Sequence, residues 1–544
     1  MMLNAEMTMA EALRDVAASR QDREALVCGE VRATYGQLLE RTRALAWGLH
    51  ELGVHKGDKV AALLPPGPEF VYLFFAVAEL GAIIVPLNPQ LRRRSLSSVL
   101  RDAAPVALVT SRPIEDEVLH QAGSLRHVIS TTGGEQPGSS LADLISAPPP
   151  APLPPSEVSP QDLLALLYTS GTTGTPKGTM HSHRSLIAPV VASLKVRELW
   201  KRPNLKTLGP TIKALARYRE RLLRAAVLPQ TWLAAAGWHT ITGLEIVFQA
   251  LLMGDRLVVM PHFDPRDALA LVERERVTIL VAVPVAYQVM LGLPDLDRYD
   301  TSSLLVCGVG AAPCPPHLAR EIQDRFHCAI HIGFGATELG GGIAVTSLAD
   351  PDRQRTETVG RPMPGMEVKI VDEQRREVPP GEVGELACRS DSVMRGYYQA
   401  PEVTAEVIDE EGWYYTGDLA RMDGEGYLHI VGRRKDMIIR GGQNVYPAEI
   451  ENYLASHPKI RETAVVGVPS PVEGESVWVF VILEDGVEMT AREVLDYCRE
   501  ELEPYKIPSR VQFVDDLPRS ATGKPQKFRL RETALRTVRE GSPS

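Results

Sequence analysis

At 544 residues the chain is too long for one ordinary compact domain, so two or more are expected. Its 44% apolar and 24% charged residues make a globular, soluble composition, and a net charge of -10 argues against nucleic acid as a global partner. The six cysteines (Cys28, Cys307, Cys314, Cys328, Cys388 and Cys498) form no C-x-x-C pair, which argues against a zinc or disulfide framework and predicts reduced thiols in a cytoplasm.

Residues 1–20 mix Glu, Asp and Arg with Ala and Met and hold no apolar stretch suited to a signal peptide. Thr34 is placed to cap a helix over 35–52, with Leu38, Leu45, Leu49 and Leu52 at helical spacing and Gly53 as its stop. A strand at 60–64, a helix at 69–80 and a strand at 82–85 follow. The longest apolar run, near 70–85, is broken by Glu79 and Gly81, so no membrane span is expected. Residues 133–160 are rich in Pro, Gly and Ser and read as a linker. Further strands at 257–260, 278–283, 304–307 and 329–332 alternate with helices, one of them at 244–253. That alternation predicts α/β layers with parallel strands. After about Gly432 the pattern becomes strands at 464–468, 477–483 and 511–514 with helices near 448–454 and 491–502. This predicts a small α+β unit with its boundary at 433–435.

Residues 195–224 carry ten Lys or Arg against Glu198 and Glu220, and look helical over 211–226. A solvated helical face accounts for them. The sharper alternative is a docking site for an acidic carrier protein, a CoA phosphate or a membrane surface.

Chemistry concentrates in a few short stretches. Tyr168-Thr-Ser-Gly-Thr-Thr-Gly-Thr-Pro-Lys-Gly178 follows the apolar run 163–167. Gly171, Gly174 and Gly178 let backbone approach a ligand. Thr169, Ser170, Thr172 and Thr173 supply hydroxyls, and Lys177 supplies charge, as a polyphosphate requires. It is not the G-x-x-x-x-G-K-[ST] loop, because no Ser or Thr follows the lysine. Gly308-Val-Gly-Ala-Ala-Pro313 is a tight turn after the 304–307 strand. Gly333-Phe-Gly-Ala-Thr-Glu338 stands after the strand at 329–332, where α/β sheets bind ligands. Gly412-Trp-Tyr-Tyr-Thr-Gly-Asp418 ends on a carboxylate able to accept two ribose hydroxyls, or simply to shape a turn. Gly432-Arg-Arg-Lys-Asp436, the glycines Gly441 and Gly442, and Leu517-Pro-Arg-Ser-Ala-Thr-Gly-Lys524 complete the set.

In order and spacing these stretches resemble the signatures of the AMP-forming acyl-CoA synthetase family, whose superfamily includes firefly luciferase and peptide-synthetase adenylation domains. The resemblance spans nearly the whole chain. It implies a large multi-subdomain N-terminal α/β domain, residues 1–433, binding ATP and the acid. A small mobile α+β lid, residues 434–544, would carry the catalytic Lys524. The implied ATP-binding set is the 169–174 loop with Lys177, the turn Gly310, Ala311 and Ala312, then Gly333, Phe334 and Gly335, and Asp418 and Arg433. Phe334 would stack on adenine, Thr337 would bond the α-phosphate, and Glu338 would hold Mg²⁺. Lys435 takes the hinge position, and Gly441 and Gly442 would flank a tunnel for CoA.

One element departs from the family. Its Pro-x-Phe-His motif has no direct counterpart, and Trp238-His239 stands as the displaced equivalent at the acyl pocket. Gly340, opening Gly340-Gly-Gly342, suggests spare volume or a backbone-lined pocket there, which a flexible turn explains as well. The expected reaction is acid activation by ATP, then thioester formation with CoA. The alternatives are loading of an acyl-carrier protein, or an inactive acyl- or nucleotide-binding module.

Overall fold

The computed structural model describes residues 3–132, 140–146, 153, 157–169, 177–201, 229–519 and 524–539. The basic residues 202–224, the helix expected at 211–226 and most of the linker at 133–160 lie outside them. The part of that linker at Leu141–Ser146 is a short helix. Leu141 is buried and Leu144 packs against the core, so the segment is anchored to the helix Tyr35–Glu51.

The N-terminal elements form as their residues dictate. Thr34 caps Tyr35–Glu51 in a reciprocal box with Gln37, and Gly53 leaves the helix at φ +76°. Helix Pro68–Leu80 is buried on nearly every face and stops at Gly81, φ +69°. Its Phe74 ring lies 4.6 Å from Phe248 of helix Ile241–Leu252, and Phe70 meets Trp238 edge-on at 5.6 Å. These contacts fix the helix that leads away from the candidate acyl pocket.

A six-stranded sheet runs in the order His127–Ser130, Ala107–Thr110, Lys59–Leu63, Ile83–Pro86, Leu163–Thr169, Lys177–Ser182. Only its last pair is antiparallel. A nine-stranded sheet has a parallel centre: Ala329–Ala336, Val306–Val309, Ile279–Ala282, Thr231–Ala235, Arg256–Val258 and Glu24–Cys28. Antiparallel strands close both edges. The parallel expectation therefore holds for the two centres.

Residues 367–433 form a four-stranded antiparallel sheet that the sequence reading did not resolve. Its strands Gly384–Arg389 and Tyr414–Met422 pack Leu386, Tyr414 and Ala420 against Leu339, Ile343 and Ala344 of the larger sheet. The C-terminal region holds a five-stranded sheet of Ile438–Arg440, Gln443–Val445, Ile460–Ser470, Gly474–Leu483 and Arg510–Phe513, packed against helices Pro447–Leu454 and Ala491–Glu501.

Two of the strands that lead to the candidate site differ from expectation. The strand expected at 304–307 is Val306–Val309, and the one expected at 329–332 continues to Ala336. The extension exists because the residues of 333–336 pair with Gly341–Val345. Gly335 crosses that partner so closely that a Cβ would sit 2.2 Å from the Gly341 carbonyl oxygen. Its glycine serves strand packing rather than loop freedom.

Candidate active site

The site grows from the end of strand Ala329–Ala336, where the turn Thr337–Leu339 projects Glu338. Segment 394–398 pairs with strand Lys177–Ser182 through Met180 N–H to Gly396 O (3.0 Å) and Tyr398 N–H to Gly178 O (2.7 Å). Its other face receives the turn: Met394 N–H donates to Glu338 O at 2.8 Å. Tyr397 thus stands between two functional groups. Its hydroxyl donates to Glu338 Oε1 at 3.0 Å, and Lys177 Nζ lies 5.4 Å from its ring centre. Desolvation, helped by the Glu338 charge, holds the Tyr397 hydroxyl protonated by raising its pKa.

Asp418 and Arg433 face each other across neighbouring strands, with Arg433 Nε 2.8 Å from Asp418 Oδ1. Asp418 is buried, and desolvation raises its pKa against the opposing charges of Arg433 and Lys524. Desolvation pulls the Arg433 pKa down, but Asp418, Asp436 and Glu338 more than restore it. Lys524 comes from the C-terminal region and enters the same field. Its pKa is lowered by desolvation first and the Arg433 charge second, opposed by Asp418 and Glu338. The charges of two carboxylates and two cations from distant sequence positions therefore act on one another.

The candidate adenine side is assembled by strand ends. Gly310, Ala311 and Ala312 follow strand Val306–Val309, and Gly310 would place a Cβ 3.8 Å from the Gly333 carbonyl oxygen. Ala311 adopts φ +65°, a left-handed conformation unusual for a residue with a Cβ, as occurs at binding loops. Phe334 is half-buried against the core that joins the two sheets. His181, on the phosphate strand, is buried, with Nδ1 3.3 Å from Ser185 Oγ. Burial depresses its pKa to about 4, so the ring is neutral at neutral pH.

Loop residues Ser170, Gly171, Thr172, Thr173 and Gly174 lie outside the described residues, and Thr169 is described only as the end of its strand. On the candidate acyl side, Trp238 is sealed in the core, whereas His239 is half-buried with its pKa lowered to about 4 by desolvation. Gly340 does not mark spare volume. At φ +68°, a Cβ there would sit 2.6 Å from Ser392 O and 2.8 Å from Ser185 O. Close backbone approach dictates the glycine.

Lys435 lies in the turn Arg434–Asp436, its pKa lowered mainly by desolvation. Gly441 and Gly442, at φ +58° and +81°, make the turn between strands Ile438–Arg440 and Gln443–Val445. No atom lies within 4 Å of an added Cβ at either, so turn conformation alone requires them here. Of the basic segment, Arg197 is committed to structure: Nη1 reaches both oxygens of buried Asp255 at 2.9 and 3.2 Å. Sequence reasoning missed Tyr397, His181 and Glu245, a carboxylate beside Gly342.

No cluster of three metal-ligating side chains occurs among the described residues. Mg²⁺ takes one or two protein carboxylates and fills its shell with phosphates and water. Glu338, oriented by Tyr397 and half-buried, is a fitting single ligand.

The chain also matches known proteins along most of its length. The model of the family described as AMP-binding enzyme matches residues 13–398, and that of the AMP-binding enzyme C-terminal domain matches 449–524. A feruloyl-CoA synthase from Amycolatopsis sp is 36% identical over 92% of this chain and 94% of its own length. The mitochondrial medium-chain acyl-CoA ligase ACSF2 of Homo sapiens is 32% identical over 96% of this chain and 87% of its own. The crystal structure of the anthranilate CoA ligase AuaEII with anthranoyl-AMP superposes with a TM-score of 0.86 at 27% identity, covering 99% of each chain.

Proposed function

The chain belongs to the AMP-binding enzyme family and is an enzyme of its ATP-dependent acyl-CoA ligases, and from that premise we propose that it converts a hydrophobic carboxylic acid into its CoA thioester. The acid would be fatty, alicyclic or aromatic; the relatives named for feruloyl, medium-chain acyl and anthranilate groups support the fatty and aromatic classes.

A carboxylate is a poor acyl donor because oxide would have to leave. In the first half-reaction its oxygen attacks the α-phosphorus of ATP, pyrophosphate departs, and the acid becomes an acyl-adenylate. Positioning and charge neutralisation supply the catalysis. Lys524 bridges the carboxylate and the α-phosphate. Asp418 accepts the ribose hydroxyls, and Arg433 turns from it toward ribose or phosphate. Phe334 and the 310–312 turn flank adenine, and Thr337 bonds the α-phosphate. Lys177 and the 169–174 loop hold the outer phosphates. Mg²⁺ at Glu338, when bound, would neutralise charge between those phosphates.

In the second half-reaction the CoA sulfur attacks the adenylate carbonyl and AMP leaves. Residues 434–544 are the mobile unit and 1–433 the stationary one, with the hinge at Lys435, the second residue of the mobile unit. Arg434 pairs with Glu385 at 2.7 Å on the stationary side. Ile439 N–H and Arg440 are held by Glu475 and Glu473 on the mobile side, at 3.0 and 2.8 Å. This tethering on both flanks supports a hinge confined to a few residues. Rotation would withdraw Lys524 and bring Gly441 and Gly442 to the site.

The observation that carries the reading is the convergence of Lys524 on Glu338, Asp418 and Arg433. Replacing Lys524 with Ala should lower acid-dependent pyrophosphate release by about 100-fold or more while ATP binding changes little. Adenylation at the full rate in that variant contradicts the assignment.

A further inference from the structure

Lys524 lies in the last segment of the chain, between two places where that segment is packed. Leu517 is buried with Val466, Val468, Trp478 and Phe480 on one face of the C-terminal sheet, and Leu530 and Ala534 of helix Lys527–Arg539 join the same cluster. Between these anchors, polar contacts among the described residues hold the chain. Arg519 and Pro525 pair as an isolated antiparallel bridge, and Gln526 N–H donates to Pro518 O at 2.6 Å. That closes a stem immediately after Lys524.

The stem is tied to the sheet by charge. Arg519 forks onto Glu462 of strand Ile460–Ser470: Nη1 donates to Oε1 at 3.0 Å, and Nη2 donates to Oε2. The Asp516 carboxylate lies further off, 3.7 Å from Arg519 Nε. A two-bond fork fixes the orientation of the guanidinium plane, which a single contact does not. Beyond the stem, Lys527 Nζ lies 2.8 Å from Glu451 Oε1, which also accepts from Val465 N–H at 2.7 Å. Arg519 is the more direct restraint, because the residue it pairs with, Pro525, follows Lys524. Both Arg519 and Glu462 are half-buried, and pairs so open to solvent add at most about 1 kcal/mol to stability.

We propose that Arg519, oriented by Glu462, is a positioning residue for Lys524 in acid adenylation and takes no part in the thioester step. This rests on the ligase reading above, in which Lys524 serves the first half-reaction and withdraws for the second. An amine on a fixed stem reaches the carboxylate and the α-phosphate together. On a loosened stem it samples positions away from them, and a misplacement of about 1 Å costs on the order of 100-fold in rate.

The test separates the two half-reactions in the full-length protein. Cinnamic, benzoic, cyclohexanecarboxylic and hexanoic acids are compared by pyrophosphate release, and the acid that wild type uses best is taken forward with its chemically prepared acyl-adenylate. Arg519→Gln and Glu462→Gln should each lower kcat for adenylation by about tenfold or more, with the KM for ATP within about twofold. Thioester formation from the supplied acyl-adenylate and CoA should stay within about twofold of wild type, and the melting temperature within about 2 °C. The double variant should lose no more than either single one, as expected of residues acting as one pair. In a Lys524→Ala background, Arg519→Gln should cause no further loss. Unchanged adenylation in Arg519→Gln, equal loss in both half-reactions, additive loss in the double variant, or a further loss without Lys524 each overturns the proposal and leaves the ligase reading standing. Full-rate adenylation by Lys524→Ala overturns the lysine assignment, and this proposal with it. Turnover of no acid contradicts the ligase reading itself, and the proposal falls with it.

Discussion

Tyr397 shows how one hydroxyl organises two charges. It donates to Glu338 while its ring lies beneath Lys177. Phenylalanine would keep the ring and lose the donor. Tyr397→Phe should therefore slow adenylation by about tenfold, the scale of one hydrogen bond to a charged group. Tyr397→Ala should do more, because Lys177 loses its neighbour too. Steady-state pyrophosphate release measures both, and an unchanged rate in the Phe variant removes Tyr397 from the machinery. The sequence made part of this level legible. Glu338, Asp418, Arg433 and Lys524 stand in ordered motifs, and the fold brings them into one field. Tyr397 and Glu245 stand in no motif that separates them from an ordinary aromatic or surface acid. Their roles depend on partners 59 and 97 residues away, which no local pattern encodes.

Strands and helices were read well where capping or burial decides them. Thr34 and Gly53 bound their helix as expected, and helix Pro68–Leu80 follows from its apolar run. The antiparallel sheet of residues 367–433 was not legible, because cross-strand partners decide it rather than composition. The same holds for strand Ala329–Ala336, whose Gly-rich end is a strand only by pairing with Gly341–Val345. The strand–helix corner at His181 and His183 carries its own prediction. Desolvation lowers the pKa of each to about 4, as it does for His239 and His331. Between about pH 4 and 6.5 the unfolded chain then binds more protons than the native one. Stability should rise with pH across that window and be lost toward its lower end, by roughly 1–2 kcal/mol for each fully buried ring at pH 5. Glu245, raised to about 7, opposes this, as do Asp255 and Asp418, also raised by desolvation, whereas His317, lowered by desolvation, adds to it. The urea midpoint should be lower at pH 5 than at pH 7. An equal or higher midpoint at pH 5 contradicts the neutral-histidine account.

At the scale of the whole molecule, one cleft is asked to serve two reactions in turn. Among the described residues no helix is long and apolar enough to cross a membrane. The flanks of Lys435 are tied to opposite sheets, so a change of arrangement is concentrated at the turn Arg434–Asp436. Replacing Gly441 with Leu should then affect the two half-reactions unequally. No atom lies within 4 Å of an added Cβ there, and the cost in this arrangement is conformational, about 1 kcal/mol for the left-handed turn. Thioester formation should fall much more than adenylation, read by acyl-CoA yield against pyrophosphate release. Equal loss in both steps counts against a role beside the thiol. The central claim is that a single chain adenylates an acid and passes it to CoA. The most direct measurement is pyrophosphate release over a panel of carboxylic acids, with and without CoA, with products identified by mass spectrometry. Acid-dependent release with AMP and an acyl-CoA as products is the predicted result. Release that ends at a bound acyl-adenylate even with CoA present, or no release with any acid, would contradict it.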